Sequence, residues 1–147
     1  MGKLNLPAIK NSKIVALDTV ILIYFLEQHP VYYQTTRQIF QRIESGQLSA
    51  VMASLVFAEL LVPAYRSEEE ERAVKLIRTL SNFPHLEIIP LTTEIAADAA
   101  RLRARYNIRT PDAIHAATAI TSEAEGLITN DQGLVRLGTE LKIWLLD

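Results

Sequence analysis

Four acids stand apart from the general surface charge of this chain because of where they fall: Asp18, Glu59, Asp112 and Asp131. Asp18 ends the apolar run Ile14-Val15-Ala16-Leu17 and is followed at once by Thr19, whereas Asp131 follows Thr129-Asn130 at the end of a second apolar run. Asp112 comes directly after Thr110-Pro111, and Glu59 sits among Leu55, Val56, Leu60 and Leu61. The chain has only five aspartates, so these three leave just Asp98 and the terminal Asp147 outside the set. Taken singly, Asp18 and Asp131 read as helix caps and Asp112 as a partner for its own helix dipole, each for about 0.5 to 2 kcal/mol or less. Glu59 resists that reading, since a carboxylate with buried neighbours is costly unless paired or bound to a cation. Brought to one crevice, the four would repel one another and raise each other's pKa until a divalent cation relieved them. With oxygen donors only, that ion is Mg²⁺ or Mn²⁺. Such an ion orients and deprotonates a water, polarises a phosphate and shields the leaving oxyanion, which is the chemistry of phosphodiester hydrolysis.

The elements that would carry these acids alternate between strand and helix. Ile14 to Leu17 reads as a strand buried on both faces, with Asp18 at its carboxyl end, where ligands bind in open parallel sheets. Val20 to Leu26 follows as a short helix capped by Asp18 or Thr19, ending near His29-Pro30. Val31, Thr35, Ile39 and Ile43, widened by Phe40, form the stripe of an amphipathic helix stopped at Gly46. Leu48 to Met52 is a second strand, and Ala53 to Val62 a helix ended by Pro63. Ser67 and Glu70 form a capping box, with Glu68 to Glu71 as the solvated start of a helix that carries Ala73, Leu76, Ile77 and Leu80. Leu86 to Ile89 is a third strand. Thr92 or Thr93 caps a helix with Ile95, Ala99, Leu102 and Tyr106 inward, and Asn107 closes it. Thr110, Pro111 and Asp112 open a helix in the order of cap, first-turn proline and first-turn acid, and its small face, Ala113, Ala116, Ala117 and Ala119, permits close packing. Gly126 to Thr129 and Leu141 to Leu146 complete the strands, with a short helix around Leu134 to Leu137 between them. The lead from Met1 to Ser12, polar and carrying Pro7, is expected to be loosely held. The alternation predicts an α/β fold, a three-layer α/β/α sandwich around a mainly parallel sheet of about five strands.

Composition narrows the partners. A chain of 147 residues, 49% hydrophobic and 22% charged, is expected to fold as one domain over residues 1–147. It has no cysteine, which excludes disulfides, thiolate zinc sites and a cysteine nucleophile. Val20 to Leu26 is too short to span a bilayer and lacks the lead-in of a signal peptide, so no membrane partner and a cytoplasmic location are expected. A net charge of −2 and a pI of about 5.9 do not give the broad basic field of a protein that coats nucleic acid. If the substrate is a polyanion, local basic residues or a bound cation must offset the acids.

Four pieces in order, Leu17-Asp18-Thr19, Phe57-Ala58-Glu59-Leu60, Thr110 to Ala119 and Thr129-Asn130-Asp131, resemble those of PIN-domain ribonucleases. They look like those of the VapC toxin of VapBC toxin–antitoxin pairs, and the resemblance covers nearly the whole chain. The resemblance implies an acidic pocket of Asp18, Glu59, Asp112 and Asp131 that binds Mg²⁺ or Mn²⁺ and cuts RNA to a 5′-phosphate and a 3′-hydroxyl. In that reading Asp18 and Asp112 are metal ligands and Asp131 is one directly or through water. Glu59 takes the proton of the attacking water or holds a ligand water. Thr19 and Thr129 add hydroxyl hydrogen bonds, and Asn130 orients the phosphate. It further implies a homodimer, and an antitoxin that lays a helix or tail over the toxin and inserts a basic side chain into the pocket.

Other residues are read more plainly. His115 follows Asp112 by one helical turn and shares its face, with packing or hydrogen bonding as the simpler role. Arg101, Arg103, Arg105 and Arg109 are either RNA contacts or a solvated basic face. Tyr24, Phe25, Tyr32, Tyr33 and Phe40 are core, or, if partly exposed, the dimer or antitoxin surface. Two metal-binding rivals fail on their own motifs: a receiver-like phosphoacceptor wants paired acids near Asp18, and a haloacid-dehalogenase-like phosphatase wants an aspartate where Val20 stands. A non-catalytic PIN-like scaffold is the alternative from a different functional class.

Overall fold

The computed structural model describes residues 3–147. Five strands, β1 (Ile14–Leu17), β2 (Ser49–Ala53), β3 (Leu86–Ile89), β4 (Gly126–Thr129) and β5 (Lys142–Leu145), form one all-parallel sheet in the order β3-β2-β1-β4-β5. Alternation along each strand sends side chains to two separate cores. Val15, Leu17, Met52 and Ile128 join the helices α1 (Thr19–Leu26) and α2 (Tyr33–Glu44), while Ala16, Val51, Leu127 and Ile143 face α6 (Thr93–Tyr106) and α7 (Thr110–Thr121). Helices therefore cover both faces, as the near-continuous apolar strands demand. Among the described residues no helix is long and apolar enough to cross a membrane.

The strand order reverses at β1, which has β2 on one side and β4 on the other. This is the crevice where open parallel sheets bind ligands, and Asp18 and Asp131 leave it from adjacent strands. α7 completes that end. Ala113, Ala116, Ala117 and Ala119 are fully buried, and these small side chains bring the helix close to the sheet and to α6.

Several local expectations are corrected. The lead is not loose from Lys3 onward: Leu4 N donates to Leu145 O at 2.6 Å, Leu6 and Ile9 are buried, and Arg42 donates to the carbonyls of Leu6 and Ile9 at 2.6 and 2.8 Å. Met1 and Gly2 lie outside the described residues. α2 starts at Tyr33, which leaves Val31 70% exposed, with the His29 ring accepting from the Val31 and Tyr32 amides. The helix expected over 53–62 is the shorter α3 (Leu55–Leu60), and Pro63 lies in the first turn of α4 (Val62–Arg66), where its missing N–H costs nothing. The Ser67–Glu70 capping box does not form: Ser67 closes α4, and α5 (Glu70–Ser81) begins after Glu69 with no side-chain cap bond. Thr92 does cap α6, accepting from Ile95 N at 3.2 Å, and Asn107 takes the left-handed conformation at its end. Thr110 is the first residue of α7 rather than its cap.

Candidate active site

Asp18, Glu59, Asp112 and Asp131 line one pocket of about 280 Å³ at the carboxyl end of the sheet, together with Thr19, Asn130, Tyr24 and Arg109. Each acid comes from a different place: Asp18 from the β1–α1 junction, Glu59 from α3, Asp112 from the first turn of α7, Asp131 from just past β4. A common pattern holds them. One oxygen of each is fixed by the protein and the other carries no hydrogen bond among the described residues. Thr129 Oγ1 donates to Asp18 Oδ2 at 2.6 Å, and Arg109 Nε to Asp112 Oδ2 at 3.2 Å. Gly133 N donates to Asp131 Oδ1 at 2.8 Å. Glu59 Oε1 accepts from Thr19 Oγ1 at 2.7 Å and from His115 Nε2 at 2.8 Å.

Thr129 serves two acids. Fully buried at the end of β4, it donates to the Asp18 carboxylate and accepts from the Asp131 backbone amide at 3.1 Å, so one hydroxyl ties the Asp18 side chain to the main chain of Asp131. Asp18 and Asp112 are themselves buried, whereas Glu59 is not: a third of its side chain, 36%, faces solvent. The apolar neighbours of Glu59 in sequence turn inward from the short α3 and leave the carboxylate on the pocket rim. That corrects the expectation of a buried glutamate.

The electrostatics follow this placement. Burial, with Asp131 and Asp18 adding, pushes the Asp112 carboxyl above its ordinary range against the pull of Arg109. Glu59 moves the other way. The His115 hydrogen bond, helped by Thr19, outweighs partial burial and holds Glu59 below the usual carboxylate range. On His115, burial alone lowers the imidazole pKa, and the Glu59 bond with the charges of Asp18, Glu59 and Asp112 more than offsets it, so the net shift is upward.

The donor set is made of hard carboxylate oxygens, which suits Mg²⁺ or Mn²⁺. Among the described residues, no three Asp, Glu or His side chains are grouped so as to hold an ion between them. Mg²⁺ does not require it: the ion keeps several waters and takes one or two carboxylates directly. The open oxygens of Asp18, Asp112 and Asp131, and the burial that, with the charges of Asp131 and Asp18, raises Asp112, fit such an ion.

The PIN domain family profile matches residues 15–140, a span that contains all four acids. The chain belongs to the PIN-domain family. Among solved structures, the PIN domain described here is similar to VapBC-1 from nontypeable Haemophilus influenzae, at TM-score 0.67 and 22% identity, covering 90% of this chain and 98% of that one. It is also similar to a toxin–antitoxin complex from Klebsiella pneumoniae, with TM-score 0.62, 25% identity and coverage of 82% and 89%. A third, VapC20 from Mycobacterium tuberculosis, described as a sarcin–ricin loop cleaving toxin, gives 0.64, 16%, 84% and 95%. Compared with curated proteins, the chain has no match.

The PIN fold brings every expected supporting residue to the pocket: Thr19 on Glu59, Thr129 on Asp18, and Asn130, which donates to Tyr24 Oη at 3.3 Å. The residue underweighted in sequence is His115. It is 98% buried and touches Glu59, lies 3.2 Å from Thr19 Oγ1 and stands 3.6 Å from Asp18 Oδ1. Its spacing of three from Asp112 was the available signal. Of the four arginines before Asp112, only Arg109 reaches the pocket: Arg101 pairs with Asp98 and Glu140, Arg105 stands by Glu140, and Arg103 turns to the Ile108 carbonyl. The aromatic region is self-packed, with Tyr24 stacked on Tyr32 and Phe25 on Tyr33. Of its five members only Phe40 is fully buried.

Proposed function

We propose that this PIN domain is an Mg²⁺- or Mn²⁺-dependent endoribonuclease, acting as the toxin of a type II toxin–antitoxin pair. The observation that supports it is the four-acid pocket in which one oxygen of each carboxylate is anchored and the other left open. Asp18, Asp112 and Asp131 would hold the cation, with Glu59 beside it or linked through a water. When bound, the ion supplies polarisation of the scissile phosphate and a water of lowered pKa. Glu59, kept ionised by His115 and Thr19, accepts the proton of the attacking water at Oε2. Asn130 and the exposed guanidinium of Arg109 stand at the rim to orient the phosphate. Thr129 keeps Asp18 and Asp131 in register as charge shifts to the leaving 3′-oxygen.

The toxin assignment is supported by the likeness to toxin–antitoxin structures, and the partly exposed Tyr24, Phe25, Tyr32 and Tyr33 offer the surface for a second copy or for an antitoxin. A basic antitoxin side chain inserted among the acids would occupy the place of the cation. The test is cleavage of RNA by purified protein with Mg²⁺ or Mn²⁺, in excess EDTA, and with Asp18→Asn. Cleavage only by the wild type with metal is the expected result. Full cleavage in EDTA would refute the metal mechanism, and tight partner binding without cleavage of any RNA would favour the scaffold reading.

A further inference from the structure

Lysine is scarce in this chain and unevenly placed. Of its five lysines, Lys3, Lys10, Lys13 and Lys142 line a single pocket of about 420 Å³, which also contains the chain's one tryptophan, Trp144. One acid, Glu125, lies among them: Lys142 Nζ donates to its Oε1 at 2.9 Å, and Lys13 Nζ stands 4.0 Å from its Oε2. Four cations against one carboxylate leave a local charge of +3 on a chain whose total is −2.

The placement has a direction. Lys13 precedes β1 and Lys142 opens β5, at the end of the sheet remote from the acids, whereas Lys3 pairs beside Leu145 at the other end of β5. The lysines therefore follow the outer edge of the sheet toward the end that carries the catalytic pocket. β5 has four residues, so it is about 13 Å long at ~3.3 Å per residue. Trp144 is held against β4, since Gly126 leaves no room beside it: a Cβ there would lie 2.7 Å from Trp144 Cζ3. Edge lysines also block strand-to-strand aggregation. Here Leu4 already covers the edge through its bond to Leu145 O, and that role gives no reason to gather lysines round an indole.

A phosphate chain approaching the four acids is repelled, and the arginines before Asp112 other than Arg109 are turned to acids or to a carbonyl. Beyond the cation proposed above and Arg109, attraction for the flanking RNA comes from elsewhere on the surface. We propose that the lysine edge of β5 binds the sugar–phosphate backbone of the RNA flanking the scissile bond, with Trp144 offering a face to one base. Flexible ammonium groups beside an aromatic ring are the usual means of holding single strands without reading sequence. The proposal rests on the ribonuclease reading of the acidic pocket.

The test titrates polyuridylate into the Asp18→Asn protein, which cannot cut it, and follows Trp144 emission and RNA anisotropy over a range of salt. The same is done with Lys3→Gln/Lys10→Gln added, which leaves the Glu125 pairs intact. Trp144 emission should change on RNA binding, and the log–log salt slope should flatten by about 1.4 in the double variant, at ~0.7 per phosphate contact. An unchanged slope, no change in emission, or no salt-dependent binding overturns the proposal. So does polyglutamate binding as tightly as polyuridylate, which would make the edge a site for acidic protein. Cleavage by the wild type is scored separately. A flattened slope without cleavage would sink the catalytic reading and leave RNA binding here, whereas cleavage with an unchanged slope would do the reverse.

Discussion

Replacing Thr129 by valine removes one hydroxyl and keeps the side-chain shape, yet two acids lose an anchor at once. The lost donor faced the Asp18 carboxylate at 2.6 Å in a fully buried setting, and a hydrogen bond to a charged group contributes about 1.5–3 kcal/mol. The Asp131 amide, 3.1 Å from the same oxygen, is left without that partner, for about 1–3 kcal/mol more where water cannot replace it. The two overlap, so a combined loss of about 2–4 kcal/mol is expected. For a chain of this size, ~2–4 °C per kcal/mol puts the drop in melting temperature at roughly 5–15 °C. The freed Asp18 carboxylate and the loosened main chain at Asp131 also misplace the reacting groups, and a displacement of about 1 Å is worth ~100-fold in rate. The assays are thermal unfolding by circular dichroism in EDTA and RNA cleavage in Mg²⁺. Thr129→Ser, which keeps the hydroxyl, should recover most of the activity. If Thr129→Val melts within about 2 °C of wild type and cleaves at the same rate, the hydroxyl does not hold the site, and the reasoning fails.

Asp112→Asn should abolish cleavage while leaving the metal-free protein at neutral pH as stable as wild type or more so. A carboxyl whose folded pKa is raised weakens the fold above that pKa, and the neutral amide relieves it. Added Mn²⁺ should raise the melting temperature of the wild type and not of this variant; a lower metal-free melting temperature for the variant would contradict the argument from burial and neighbouring charge. For His115, the raised pKa means its stabilisation is complete below the unfolded value near 6.5 and is lost as pH rises through the folded value. The stability gap between wild type and His115→Gln should thus narrow as pH rises above about 6.5. Melting curves across that range with a constant gap would show that the ring holds Glu59 equally well when neutral.

The sheet and all four acids were legible because local patterns mark them. Apolar runs ended by Asp18 and by Asn130-Asp131 placed two of the acids, and Thr110-Pro111-Asp112 announced a helix start. What failed depended on partners distant in sequence. The polar lead looked loose because nothing near it reveals the Arg42 guanidinium that binds the Leu6 and Ile9 carbonyls. Ser67 and Glu70 have the spacing of a capping box, but the chain spends Ser67 on closing α4, one turn too early. Glu59 was flagged for a wrong reason, burial, since the sequence does not show that α3 stops at Leu60 and turns the carboxylate outward. The competition for the arginines by Glu140, some forty residues downstream of Arg101, was equally invisible.

The alanine face of α7 bears on how such a protein can change over generations. Because the helix buries Ala113, Ala116 and Ala117 in the core it shares with the sheet, the height of Asp112 and His115 above the strands depends little on the rotamers of its own side chains. Drift at the rim, where Tyr24, Arg109 and Asn130 line the pocket, can alter its mouth without re-aligning the acids. Drift inward is penalised at once, since a larger residue at Ala113, Ala116 or Ala117 would lift Asp112 and His115 together. On the ribonuclease reading proposed above, the PIN scaffold separates what is cut from how it is cut, and a lineage can explore the first while the second stays fixed.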